Sequence, residues 1–436
     1  MTAVIDPKTE RNNKLFGAVG AVVEWYDLML YGYLSVVFAR VFFPEDAGPG
    51  VALAATLGGF AIGFLMRPIG GIFFGWLGDH SGRKVSLTLA ITMMSVPMLG
   101  TALLPTYDSI GWLAPILLIV FRMVQGFSSG GEYSGTLVFL TEGANQGRRG
   151  RTVAIATMYA GVGILLAALV TATISSLLTD AQMDSWGWRL PYLLGSLISV
   201  VGILMRMKMQ ETAHYQEIKA TGKISKTPIR DALRYDWKAI LRVVLLTGYG
   251  GITYFIVLTY LVSYLEDTVG VSHDEALWIG TGMAAIYAVT AHFFGVLADR
   301  AGRKPPMLWS AVALVILPVP MFMLLNTGSL VWICLAALIL LIPVMAYVGG
   351  IAVACTELLP TSHRNAGVGI GYNFGSALIG STAPFIAQVL VTITGSPSIP
   401  AWYLVIASLI AIPIIYKLPE TAFVELESFR EEDIQN

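Results

Sequence analysis

Gly75-Trp-Leu-Gly-Asp79-His-Ser-Gly82-Arg83-Lys84 returns 220 residues later as Gly295-Val-Leu-Ala-Asp299-Arg-Ala-Gly302-Arg303-Lys304. A second pair of landmarks repeats at nearly the same distance. Thr141-Glu142 has Arg149 seven residues beyond the acid, and Thr356-Glu357 has Arg364 seven beyond. Two features recurring at almost one offset indicate a duplicated unit. Between and around these landmarks the chain is apolar for stretch after stretch, so the repeated segments read as short polar turns joining membrane crossings.

Composition supports that reading. Of 436 residues, 56% are hydrophobic and 13% charged, and mean hydropathy is +0.70. A soluble domain carries about 25% charged residues, and a helix needs roughly 20 apolar residues to cross the hydrocarbon layer. Twelve runs qualify: 15–42, 51–77, 85–104, 113–142, 152–178 and 188–209, then 241–265, 276–298, 306–326, 330–357, 366–394 and 401–418. The expected architecture is an all-α membrane protein of twelve transmembrane helices in two pseudo-symmetric six-helix bundles. The N-terminal bundle takes residues 1–210, a polar cytoplasmic linker 211–240, and the C-terminal bundle with a short cytoplasmic tail 241–436.

Lys and Arg set the orientation. Arg40 and Arg189 fall near the outer side, Arg67 and Arg122 fall inside spans, and all the others face one side if there are twelve crossings. The positive-inside bias makes that side the cytoplasm and puts both termini there. The first apolar run holds Glu24 and Asp27 and has no small-residue cleavage signature, so it reads as a retained helix. Net charge is −1, which offers no field for nucleic acid. Cys334 and Cys355 lie in apolar stretches and read as small buried hydrophobes, with no disulfide or metal spacing.

In the repeated turns, glycine permits close approach and a tight reversal. Asp79 and Asp299 are placed to accept backbone N–H groups at a neighbouring helix N-terminus. Arg83 and Arg303 are placed to fork onto Glu142 and Glu357. These six residues form an expected cytoplasmic gate that latches shut and breaks on opening.

Five ionisable residues lie well inside spans: Glu24, Asp27, Arg67, Arg122 and Glu132. Each costs a few kcal/mol at a helix centre, so each needs a partner or a wet cavity. Glu24 and Asp27 share one helical face, with Tyr31 one turn on. Asp27 sits ~20 Å along its span, and Arg122 reaches similar depth from the other side. Such a pair is a proton switch: together, the carboxylate stays charged; apart, a buried carboxylate favours protonation. Glu24 is the second candidate for the proton. Arg67 and Glu132 fall at comparable depth and are expected to pair, with Arg67 alternatively receiving a substrate carboxylate through its planar fork. Tyr26, Tyr31, Tyr254 and Asn373 are candidates to line the substrate cavity together with Arg122, Arg67 and Glu132. Trp25 and Tyr260 are also deep, whereas His292 reads as a polar residue near the cytoplasmic interface. The glycines of the fourth and eleventh spans read as packing contacts.

The chain resembles the major facilitator superfamily, and within it the metabolite:proton symporter branch of citrate, α-ketoglutarate, shikimate and proline/betaine carriers. The matching stretches are Glu24-Trp-Tyr-Asp27, Tyr31-Gly-Tyr33, Phe42-Phe-Pro44, Arg67-Pro-Ile-Gly-Gly71, Arg122-Met-Val-Gln-Gly126 and Gly130-Gly-Glu132-Tyr133. Trp186-Gly-Trp-Arg189, Gln210-Glu-Thr212, Leu258-Thr-Tyr260 and Thr356-Glu-Leu-Leu-Pro-Thr361 continue the match. The resemblance covers nearly the whole chain. It implies the major facilitator fold, a cavity lined by helices 1 and 7, and alternating access. Related sugar carriers resemble this chain in facing an acid on helix 1 with an arginine on helix 4.

The expected function is a proton-coupled symporter importing a small carboxylate-bearing metabolite, an organic acid favoured because of the buried arginines. The alternative is a proline/betaine-type osmolyte symporter, which would explain the aromatic residues; a third class is a non-transporting sensor on the same fold. No Walker sequence, H-E-x-x-H or G-x-S-x-G occurs, so neither a P-loop ATPase nor an enzyme is expected. No cofactor beyond the proton gradient is implied. The expected setting is the cell inner membrane, and the chain is expected to act as a monomer.

Overall fold

The computed structural model describes residues 7–44, 49–211, 228–361, 363–424 and 426. These residues form helices joined by short connections. Those of eight residues or more are, in order, α1 (Pro7–Tyr33), α2 (Ser35–Phe42), α3 (Pro49–Ser81), α4 (Arg83–Leu103), α5 (Leu113–Glu142), α6 (Arg149–Leu177) and α7 (Arg189–Met207). After the segment 212–227 come α8 (Pro228–Tyr235), α9 (Trp237–Tyr254), α10 (His273–Ala301), α11 (Lys304–Ile316), α12 (Pro318–Leu325) and α13 (Leu330–Glu357). The series ends with α14 (Arg364–Phe374), α15 (Ala383–Thr394) and α16 (Ile399–Tyr416).

Among the described residues, nine helices are long and apolar enough to cross a membrane, or eleven if each of two bent pairs is one crossing. The 33-residue α3 occupies the second span read from sequence. The first span is not straight: α1 and α2 meet at 64°. The ninth bends by 54° between α11 and α12, where Pro318 clashes with the preceding turn. The seventh and eleventh widen into π-helical turns at Phe255–Tyr260 and Gly375–Gly380. The linker read as 211–240 is helical in its second half. Pro228, without an N–H to satisfy, opens α8, and α8 packs against α3, α9 and α14. Residues 212–227 and the end of the tail lie outside the described residues.

Both repeated turns close through a glycine that only glycine readily fills. Gly82 has φ 111° and Gly302 has φ 96°, in the region a Cβ disfavours. They let α4 and α11 turn back directly from α3 and α10. Elsewhere close approach is the reason for glycine. A side chain on Gly126 would collide with the backbone of Gly63, and one on Gly130 with that of Arg67, so α3 and α5 touch backbone to backbone.

Apolar side chains cover the outside. Leu197, Val289, Phe385 and Ile410 all point outward, the inverse of a soluble surface and the pattern expected facing lipid. Cys355 is buried but Cys334 is exposed, so the expectation of two buried thiols is corrected; an apolar stretch can face the bilayer as well as the protein. Within the first half, α3 packs on α5, α1 on α6 and α4 on α7. Within the second, α11 packs on α13 and α16. The halves meet along α6 with α10 and α3 with α14.

Candidate functional site

A cavity lies between the halves, lined by Trp25 from α1, Tyr133 from α5, Tyr254 and Phe255 from α9 and its π turn, Tyr287 from α10 and Tyr372 from α14. Small and aliphatic groups, among them Gly250, Gly251, Ile351 and Ala352, complete the wall with Thr247 and Ser376. The rings interlock edge-on: Trp25 with Tyr133 at 6.0 Å and with Tyr254 at 5.4 Å, Tyr254 with Tyr287 at 5.7 Å. Tyr133 and Tyr372 meet at 5.5 Å across the two halves. Among the described residues no charged side chain lines this cavity.

Three buried ion pairs stand behind it in the first half. Arg122 Nη1 donates to Asp27 Oδ2 at 3.2 Å, and its guanidinium lies 4.2 Å over the Tyr31 ring. Gln125 also bonds the Asp27 carboxylate. Arg67 Nη2 donates to Glu24 Oε1 at 2.5 Å. Arg206 forks onto Glu132, with Nη1 to Oε2 at 2.7 Å and Nη2 to Oε1. Depth along the spans therefore matches the right acid to Arg122 but the wrong one to Arg67: the expected Arg67–Glu132 pair does not form. Arg206, which the sequence groups with the cytoplasmic loop residues, is fully buried, its long stem carrying the charge inward from the last turn of α7.

Of the substrate-binding candidates, Tyr254 alone lines the cavity. Arg122, Arg67 and Glu132 are held in the three ion pairs. Tyr26 donates to the Pro191 carbonyl at 2.7 Å and Tyr31 to the Thr56 carbonyl at 2.9 Å; both fix helix packing. Asn373 donates to the carbonyls of Gly130 and Gly369, each at 2.7 Å, and its neighbour Tyr372 faces the cavity instead. Residue counting gives height along a helix but not direction around it, which is why the packing partners decide these placements. Tyr260 bonds Gln388 at 2.7 Å, and His292 is half-buried.

The cluster at the repeated turns is wired crosswise. Arg83 bonds Asp79 at 2.5 Å and Glu142 at 3.3 Å within the first half; Arg303 bonds Asp299 at 2.8 Å and Glu357 at 3.1 Å within the second. Each aspartate then reaches into the other half. Asp79 accepts the N–H of Ala366 at 2.9 Å, in the first turn of α14. Asp299 accepts those of Gly150 and Arg151, at 2.7 and 2.8 Å, in the first turn of α6. Carboxylates at helix N-termini satisfy open donors and the positive dipole end together. Arg149 crosses to Glu357 at 3.1 Å and Arg364 to Glu142 at 3.4 Å. Burial opposes the charge on Arg303, yet bonds from Glu357 and Asp299 outweigh it and hold the guanidinium above its ordinary pKa.

From sequence, Arg149 and Arg364 read as echoes of each other with no place in the cluster. A third echo goes unread there. Glu211 accepts the Lys84 N–H at 3.2 Å, and Glu420 accepts those of Arg303 and Lys304 at 2.8 and 3.1 Å. Each caps the helix beyond a repeated turn. The pairing of Glu211-Thr-Ala with Glu420-Thr-Ala is the signal that could have found them. Thr421 donates to Glu357 at 2.6 Å, and Arg149 to the Val424 carbonyl at 2.9 Å, so the tail straps over the cluster.

Two helical halves that repeat one turn and meet around a cavity have the architecture of a multi-pass membrane transporter. The chain belongs to the Major Facilitator Superfamily, whose sequence model matches residues 27–384 and 251–432. The glycine betaine/proline/ectoine/pipecolic acid transporter OusA of Dickeya dadantii is 33% identical, covering 96% of this chain and 85% of its own. The proline/betaine transporter of Escherichia coli K12 is 32% identical with the same coverage. The ectoine/proline transporter of Corynebacterium glutamicum is 32% identical over 94% of this chain and 84% of its own. Among solved structures, the proton:xylose symporter XylE bound to 6-bromo-6-deoxy-D-glucose superposes with a TM-score of 0.83 at 15% identity, over 99% of this chain and 100% of that one. The inward open form of XylE from E. coli gives 0.68 at 17% identity, over 95% and 97%. These relatives are transporters, and the chain is not an enzyme.

Proposed function

We propose that this transporter is a proton-coupled symporter carrying a small zwitterion of the proline/betaine kind inward across the cell inner membrane. The observation that carries the reading is the aromatic chamber. Rings stabilise a substituted ammonium through their negative faces, and a cavity walled by Trp25, Tyr133, Tyr254, Tyr287 and Tyr372 suits a compact methylated or cyclic ammonium. A citrate-like polyanion would meet no lining cation among the described residues, so the organic-acid expectation gives way to its alternative. The similar transporters of Dickeya dadantii and Escherichia coli are named for proline and betaine, which supports the same choice.

In this reading the bundles 1–210 and 241–436 rock about the chamber as a monomer, with both termini cytoplasmic. Asp27 and Arg122 serve as the proton switch: protonation of Asp27 loosens the pair on the outer side, and release to the more alkaline cytoplasm restores it.

The test is uptake into proteoliposomes under an imposed gradient, alkaline inside. Labelled glycine betaine and proline should accumulate, and an uncoupler should reduce them to equilibration. Accumulation of citrate or α-ketoglutarate instead, with betaine inert, would reverse the choice. In the same vesicles Asp27→Asn should abolish gradient-driven accumulation yet keep betaine counterflow; undiminished accumulation would remove Asp27 from the coupling step.

A further inference from the structure

The Glu24–Arg67 pair differs from its two neighbours in leaving a carboxylate oxygen unused. Arg206 and Glu132 use both carboxylate oxygens in a fork. Glu24 and Arg67 share a single contact through one oxygen and one terminal nitrogen. Glu24 Oε2 is buried and makes no hydrogen bond among the described residues; Arg67 Nε makes none either, a trait it shares with the Nε of Arg122 and Arg206. A buried polar atom without a partner loses the desolvation energy outright, so this pair holds its charges at less than full strength.

It also lies directly behind the cavity wall. Glu24 precedes Trp25, a lining residue whose Nε1 is likewise buried without a partner among the described residues. Tyr133 and Tyr372, both lining, feel the charges of Glu24 and of Arg67. The Arg67 guanidinium sits 5.3 Å over Phe64, whose ring is 5.6 Å from lining Phe255. The chamber itself presents rings to an ammonium and, among the described residues, no cation to a carboxylate.

We infer that Arg67 is the receptor for the substrate's carboxylate, and that Glu24 occupies it as a built-in placeholder until substrate arrives. The inference rests on the zwitterion reading and supplies its missing half. The incoming carboxylate takes Arg67 side-on, through the vacant Nε and the Nη2 now spent on Glu24, replacing a one-point contact by a fork. Glu24 is displaced into a buried space beside the Glu132 charge, loses its cation, and takes one proton from the outer water. Charge balances: a neutral zwitterion and one H⁺ enter, Arg67 keeps a carboxylate partner, and Glu24 ends neutral. Loading thus draws a proton to Glu24 in addition to any that Asp27 cycles.

The test is calorimetric binding to the purified full chain in weak buffer, with glycine betaine and choline as probes; choline has the ammonium and lacks the carboxylate. Wild type should take up protons as betaine binds, and its affinity should weaken as pH rises. Glu24→Gln should bind betaine about tenfold tighter at neutral pH, because no receptor is masked, with the proton uptake reduced. Glu24→Gln/Arg67→Gln, neutral at both positions, should lose the preference for betaine over choline. Betaine binding by wild type with no proton uptake, a measurement that needs no variant, overturns the inference, as does a double variant that keeps the wild-type preference. Failure of wild type to bind betaine or proline at all would instead sink the zwitterion reading and take the inference with it.

Discussion

Arg206 and Glu132 are a fully formed ion pair with no solvent around it, and such pairs behave asymmetrically. Removing one partner strands a charge and costs about 3–5 kcal/mol, whereas replacing both is often close to neutral. Arg206→Met should therefore lower the melting temperature of the detergent-solubilised protein sharply, and Glu132→Gln/Arg206→Met should recover most of the loss. Equal melting of the single and double variants would mean that the pair's charges do not govern stability. The same residues mark how far sequence reaches. Glu132 is legible as buried and in need of a cation, because an acid in the middle of an apolar run has no other solution. Its partner is not, because Arg67 and Arg206 both reach its height, and only the rotation of α3 and α7 decides between them. Asp27 and Arg122 escape that ambiguity, with no second arginine competing at their depth.

At the scale of helices, the chamber owes its shape to departures from the regular spiral. The π turns at Phe255–Tyr260 and Gly375–Gly380 advance the chain by an extra residue per turn and re-aim the side chains beyond them, a feature common at binding sites. Hydropathy is blind to them, because a widened turn is as apolar as a regular one; Phe255 and Ser376 are consequently lining residues that sequence does not announce. The repeated turns are legible for the opposite reason: glycine, aspartate and arginine at fixed spacing admit few geometries. Between these lies Asn373, readable as polar but not as a clamp. It ties α14 to the Gly130 carbonyl of α5 across the halves. Asn373→Ala removes a bond worth about 1 kcal/mol. It should raise labelling of a cysteine placed in the half of the cavity nearer the repeated turns several-fold, with substrate affinity little changed. Unaltered labelling would exclude a role for this bond in holding the halves together.

For the molecule as a whole, the crosswise cluster ties the two halves together at the repeated turns. Glu357 takes Arg303, Arg149 and the Thr421 hydroxyl together. Glu357→Gln weakens bonds within the second half and between the halves at once, and a loss of about 1–2 kcal/mol changes a two-state population by roughly 5–30-fold. Spin labels on the ends of α6 and α10 that adjoin the cluster should report that shift as a longer mean separation, and gradient-driven accumulation should fall while exchange persists. Separation unchanged in the variant would mean the latch is held elsewhere. The wiring has one more consequence. Neither half completes its own cluster: Glu142 waits for an arginine from the second, Glu357 for one from the first, and each aspartate caps a helix belonging to the other. A contact built on such reciprocal lending is isologous in kind. It would close just as well between two identical copies of one half, so the single chain makes within itself a handshake that a homodimer of such halves could make between subunits.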